Sequence, residues 1–164
     1  MKALSILLDN DLVASSALAT AIALHTVEES FQVSSYQQKL GLKITNTFSE
    51  VLLDSLPIFV VLPIAAVLSK SFHWVRDSLV VVAVLHPILD HVVLTLKGRK
   101  QRPGSITAMA MVLPLGAANV LLAKSDGPPS MLGGGIGIII SLFLYIVADA
   151  DIKDMIQRSD AKNL

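Results

Sequence analysis

Apolar stretches of near-bilayer length are interrupted by histidines and carboxylates in this chain: His25, Glu28 and Glu29 in one, His86, Asp90 and His91 in another. An ionisable side chain inside a bilayer is costly, so it marks a functional site by default. The two clusters therefore constrain both how the chain folds and where its chemistry lies.

Composition supports a membrane setting. Of the 164 residues, 53% are hydrophobic and only 16% charged, and the mean hydropathy is +0.67, too apolar for an ordinary soluble domain. Thirteen basic residues are scattered among thirteen acidic ones for a net charge of zero, so no nucleic acid is expected as a partner. The absence of cysteine excludes disulfides, thiolate ligands and a thiol nucleophile. Any metal must sit on nitrogen and oxygen. The apolar run Ala3 to Leu8 is broken by Asp9 and Asp11, too short and too acidic for a secretory signal peptide.

A crossing needs about 20 mostly apolar helical residues. Five segments compete, at about residues 12–30, 52–69, 76–96, 105–124 and 129–149, followed by a polar tail, 150–164, read as a short surface helix. The expected fold is all-α: a single-domain polytopic membrane bundle of about five transmembrane helices. Leu12 to Val27 is too short alone, so the first crossing carries Glu28 and Glu29, and the second, with Pro57 and Pro63, takes in Asp54. The third reaches full length only with Asp90 inside it, about 10 Å from its end at Lys97. Gly133, Gly134, Gly135 and Gly137 in the fifth point to close helix packing rather than to a phosphate loop. Lys39, Lys43, Lys97, Arg99, Lys100, Arg102, Lys153, Arg158 and Lys162 fall on one side, against Lys2, Lys70, Arg76 and Lys124 on the other. The positive-inside bias then sets the N-terminus outside and the C-terminus in the cytoplasm of a multi-pass cell-membrane protein.

With five alternating crossings, Glu28, Glu29, Asp54, His86, Asp90, His91 and Asp149 all fall in the inner leaflet. His25 shares a helix face with Glu28 and Glu29 at i, i+3 and i, i+4, and His86 with Asp90 at i, i+4. His91 points about 100° away from Asp90, and a kink at Pro87 would turn it toward the same cavity. Histidine and carboxylate from neighbouring helices are how helical bundles build nitrogen and oxygen metal sites, suited to zinc, iron or manganese. The candidate ligands are His25, Glu29, His86, Asp90 and His91, with His25, Glu29 and His91 leading; Asp90 would alternatively orient a histidine from behind. Glu28 is the candidate base or an additional ligand. Asp54 and Asp149 suit helix ends in water, and His73, beside Trp74, a solvated interface. In the basic loop after Lys97, Arg99 or Arg102 would offer its planar fork to a lipid headgroup or substrate, held by the Pro103-Gly104 turn. Anionic-lipid contact and topology control are the plainer reading of those cations.

His25-Thr-Val-Glu28-Glu29 reads as an HXXEE signature and Arg99-Lys-Gln-Arg-Pro103-Gly104 as RXXXPG. In this order, with His91 between them, they make the chain similar to the HXXEE domain family of small bacterial integral membrane proteins, over roughly residues 12 to 120. That family also carries NXXXH, and here the asparagine is missing: Pro87 stands four before His91 and Val82 four before His86. Asp90 is the candidate substitute. The resemblance implies which residues form a site and leaves its reaction open. Three functions are weighed: a metal-dependent hydrolase or oxidase acting on a lipid or other membrane-dissolved small molecule; a proton-coupled transporter or proton relay; and a scaffold whose polar residues lock helix packing.

Overall fold

The computed structural model describes residues 10–39, 41, 47–98, 101–122 and 129–160, and every regular element among them is helical. The first helix, α1 (Asp11–Lys39), starts where Asn10 Oδ1 accepts the backbone N–H groups of Leu12 and Val13 at 3.1 and 3.2 Å. Its buried residues Ala14, Leu18, Ala21 and His25 recur at helical spacing and turn one face inward. The helix runs beyond the expected crossing of about residues 12–30. No glycine or proline follows Glu29 before Gly41, so the helix continues to Lys39 and stops at Gly41, whose φ of 72° is left-handed.

The second expected span is broken. Helix α2 (Phe48–Asp54) opens on a capping box in which Thr47 N–H donates to Glu50 Oε2 at 2.7 Å and Glu50 N–H to Thr47 Oγ1 at 3.4 Å. It is bent by 42° against α3 (Leu56–Leu68). Pro57 sits in the first turn of α3, where the missing N–H costs no helical bond and the preceding residue is biased away from helix. Asp54 consequently closes α2, exposed, rather than opening a crossing beside the other acids.

Two long rods contain wider turns. In α4, His73–His86 passes through a π-helical stretch, Pro87–Val93, into Leu94–Gly98. In α5, Ser105–Thr107 passes through Ala108–Val112, also π-helical, into Leu113–Leu122. The last helix, α6, runs from Met131 to Asp160, so the polar tail through Asp160 continues the rod instead of forming a separate surface helix. By length and composition, His73–Lys97 and Met131–Ala150 are apolar enough to cross a membrane, and the bent pair α2 and α3 would make a third. The Ser105–Leu121 helix is shorter.

Packing draws α4 against α6 and α1 against α4 and α5. A Cβ on Gly133 would lie 2.5 Å from the Trp74 carbonyl oxygen, and one on Gly137 2.8 Å from that of Ser78, so these two glycines permit the α4–α6 approach. Ser78 Oγ lies 3.1 Å from the Gly133 carbonyl across that seam. Leu18 and Ala21 of α1, Val80 and Ala83 of α4 and Val112 of α5 form a buried apolar layer. On one side of it Asp11 pairs with Arg76 at 2.7 Å and with the exposed His73. On the other side, two turns along α1, lies His25.

Candidate functional site

Three helices and one turn supply the polar cluster. From α1 come His25, Glu28 and Glu29, on successive turns of one face. From α4 come His86, Asp90 and His91. In an ordinary α-helix His86 and His91 would project roughly 140° apart. Pro87 lacks the N–H that would bond four residues back, and the turn widens: Leu94 N–H bonds the Leu89 carbonyl, five residues behind. Such a turn stacks residues five apart. The rings of His86 and His91 lie 5.6 Å apart, and each faces His25, at 5.5 and 4.7 Å. The bend expected at Pro87 is thus a π-helical widening, and it carries His91 into the cluster.

Two overlapping groups each bring ligand atoms within 4.8 Å of one another: His25, His86 and His91, and Glu29, Asp90 and His91. His25 Nε2 is 3.2 Å from His91 Nε2 and 3.7 Å from Glu29 Oε2, while His91 Nε2 is 3.5 Å from Asp90 Oδ2. His25, Asp90 and His91 are buried, whereas the Glu29 side chain keeps 30% of its exposure and forms the open side. Among the described residues His86 Nδ1, also buried, has no hydrogen-bond partner. This set has the geometry and donor chemistry to hold a metal ion.

The turn Arg102–Ser105 closes the cluster. Gly104 has φ 75°, and a Cβ there would stand 2.4 Å from Glu29 Cγ and 2.5 Å from His25 Cε1, so both conformation and contact demand glycine. His25 Nδ1 donates to the Gly104 carbonyl at 3.0 Å. A carbonyl only accepts, so in the neutral ring His25 Nε2 carries a free lone pair. Gly104 N–H donates to Gln32 Oε1 at 3.0 Å. Arg102 Nη2 donates to Asp90 Oδ1 at 3.0 Å, with its guanidinium 5.7 Å from the centre of the Tyr36 ring. Burial opposes the Arg102 charge, but Asp90 and Tyr36 hold it above its ordinary pKa. Arg102 therefore faces an internal carboxylate. Arg99 lies outside the described residues.

Glu28 turns away from the imidazoles. Its Oε2 accepts from Thr107 N–H at 2.7 Å and Thr107 Oγ1 at 2.6 Å, and its Oε1 from Gln32 Nε2 at 2.6 Å. It caps the first turn of α5, where backbone N–H groups lack helical partners. Asp149 binds Lys97 and Lys153 at 3.2 and 2.8 Å, apart from the histidines. Sequence reasoning missed Gln32, Tyr36, Ser105 and Thr107. A signal existed for the first two, because Gln32 and Tyr36 continue the i+3, i+4 series from His25 and Glu29; Ser105 and Thr107 carry none beyond following a Pro-Gly turn.

Fold and site define a helical protein with an imidazole and carboxylate cluster toward one end, closed by a Pro-Gly turn. The chain belongs to the family described as "Protein of unknown function with HXXEE motif", whose model matches residues 16–118. No curated protein and no solved structure matches it.

Proposed function

We propose that this chain is a multi-pass membrane protein of about five crossings, N-terminus outside, whose cluster is a transition-metal centre acting hydrolytically on a lipid or other membrane-dissolved small molecule. The observation that carries the reading is the His25 Nε2 to His91 Nε2 distance of 3.2 Å. Two nitrogens bound at about 2.0–2.1 Å to one tetrahedral ion lie roughly 3.3 Å apart. His86 supplies a third nitrogen, Glu29 and Asp90 oxygens, and the donor set suits zinc, iron or manganese. Bound there, such an ion would supply Lewis acidity to water at an open position. Glu29 is the ligand on the accessible side in this scheme, Glu28 a strap on α5, and Arg102 the group that orients Asp90. Exposed Val60, Val61, Ile64 and Val67 on α3 and Ile139, Phe143 and Ile146 on α6 support a lipid environment.

Against a proton path stands the apolar layer of Leu18, Ala21, Val80, Ala83 and Val112, which separates the cluster from the Asp11–Arg76 pair. The test is metal content. Purified wild-type protein should hold close to one equivalent of zinc, iron or manganese, and His25→Ala should lose it while keeping its helical circular dichroism. Folded wild-type protein that takes up none of these ions refutes the centre.

A further inference from the structure

We propose that Ser105 is a positioning residue that commits His91 to presenting a bare Nε2 lone pair to the cluster. Ser105 Oγ lies 2.6 Å from the Arg102 carbonyl oxygen, which can only accept, so the single hydroxyl hydrogen is spent there. The same Oγ lies 3.3 Å from His91 Nδ1 and has only lone pairs left for it. His91 must donate from Nδ1. A neutral imidazole has one N–H, so His91 Nε2 is bare.

On the opposite side the same logic holds for His25. Its Nδ1 meets the Gly104 carbonyl and, at 3.3 Å, Thr107 Oγ1, whose own hydrogen is given to Glu28 Oε2 at 2.6 Å. Neither imidazole has a proton for the other. Their 3.2 Å approach is then two lone pairs facing each other with Glu29 and Asp90 oxygens close by, an arrangement that a cation between them stabilises. A cluster built only to lock helix packing would place a donor against an acceptor at this point. Both orienting groups, the Gly104 carbonyl and the Ser105 hydroxyl, come from one turn, which explains why a Pro-Gly loop far along the sequence accompanies the HXXEE histidine. Outer hydrogen bonds of this kind typically set metal affinity within 10- to 100-fold.

The purpose assigned to the lone pair rests on the metal reading, but the tautomer does not, and the experiment separates them. Full-length protein with ¹⁵N-labelled histidine, metal-free in detergent micelles, should show His91 protonated at Nδ1. Ser105→Ala should release it to a mixture of tautomers, and Ser105→Thr, which keeps a hydroxyl, should restore it. Titrated with zinc, Ser105→Ala should bind at least tenfold more weakly than wild type, and Ser105→Thr should bind as wild type does. A wild-type His91 protonated at Nε2, or a Ser105→Ala variant with wild-type tautomer and zinc affinity, overturns the role of Ser105. Wild-type protein with the Nδ1 tautomer that binds no metal upholds Ser105 and removes the metal centre instead.

Discussion

Replacing Gly104 by alanine tests the closure of the cluster, because two separable penalties meet at that residue. The first is conformational: at φ 75° an L side chain costs about 1–2 kcal/mol. The second is steric. The new methyl would stand 2.4 Å from Glu29 Cγ, 2.5 Å from His25 Cε1 and 2.8 Å from His25 Nδ1, and forcing a methyl into a packed site costs typically about 1–3 kcal/mol. Together they amount to about 2–5 kcal/mol. Two other glycines divide the sum. Gly41 has φ 72° with nothing within 4 Å of its Cβ position, so Gly41→Ala should lose only the conformational part. Gly135 lies inside α6 with open space around it, so Gly135→Ala should be neutral or stabilise by up to about 1 kcal/mol. Reversible unfolding in mixed micelles, followed by circular dichroism, orders the three variants, and metal uptake should fall in Gly104→Ala alone. If Gly104→Ala is no less stable than Gly41→Ala, the turn does not lie against His25 and Glu29, and the cluster as described is wrong.

Three further outcomes follow from individual contacts. Arg102→Ala strands the buried Asp90 carboxylate and should destabilise the metal-free protein by about 3–5 kcal/mol, with much of the loss recovered in the Arg102→Ala, Asp90→Asn double variant; additive losses in the unfolding cycle would contradict the pairing. Glu28→Gln and Glu29→Gln should behave oppositely: the first lowers stability by about 1–3 kcal/mol through the Thr107 cap while metal stays bound, the second lowers metal content with little change in the metal-free melting temperature. Gly137→Val, which drives a branched side chain toward the Ser78 carbonyl and Val81, should destabilise by about 1–3 kcal/mol or more, whereas Gly134→Ala, 4.0 Å from its nearest neighbour, should be tolerated in the same unfolding assay.

Much of the site was legible in one dimension because helical spacing is local. His25 and Glu29 fall on one face at any i, i+4 separation, and His86 and Asp90 do the same. The role of Glu28 was not legible, since the same spacing that aligns it with His25 also lets it reach Thr107, and only the position of α5 decides between them. Asp54 sits at an exposed helix end, as its place in the sequence suits, but the apolar run that suggests one continuous span is divided by the break before Pro57. Arg102 was recognised as a fork for an anion, but the anion turned out to be Asp90 within the chain. The first helix runs past the expected crossing because a helix ends where backbone geometry changes, at Gly41.

The amino-acid sequence by itself determined an all-helical chain, the apolarity of its long rods, the absence of thiolate ligands, and the identity of the imidazoles and carboxylates that share helix faces. Tertiary structure decided how His91 reaches His25 and His86, that Glu28 leaves them, and that the Arg102–Ser105 turn stands behind them all. The physical reason is range. Periodicity and composition act through neighbours a turn apart, whereas a proline-widened turn in α4, a left-handed glycine before α5 and glycine contacts between α4 and α6 set which distant faces meet.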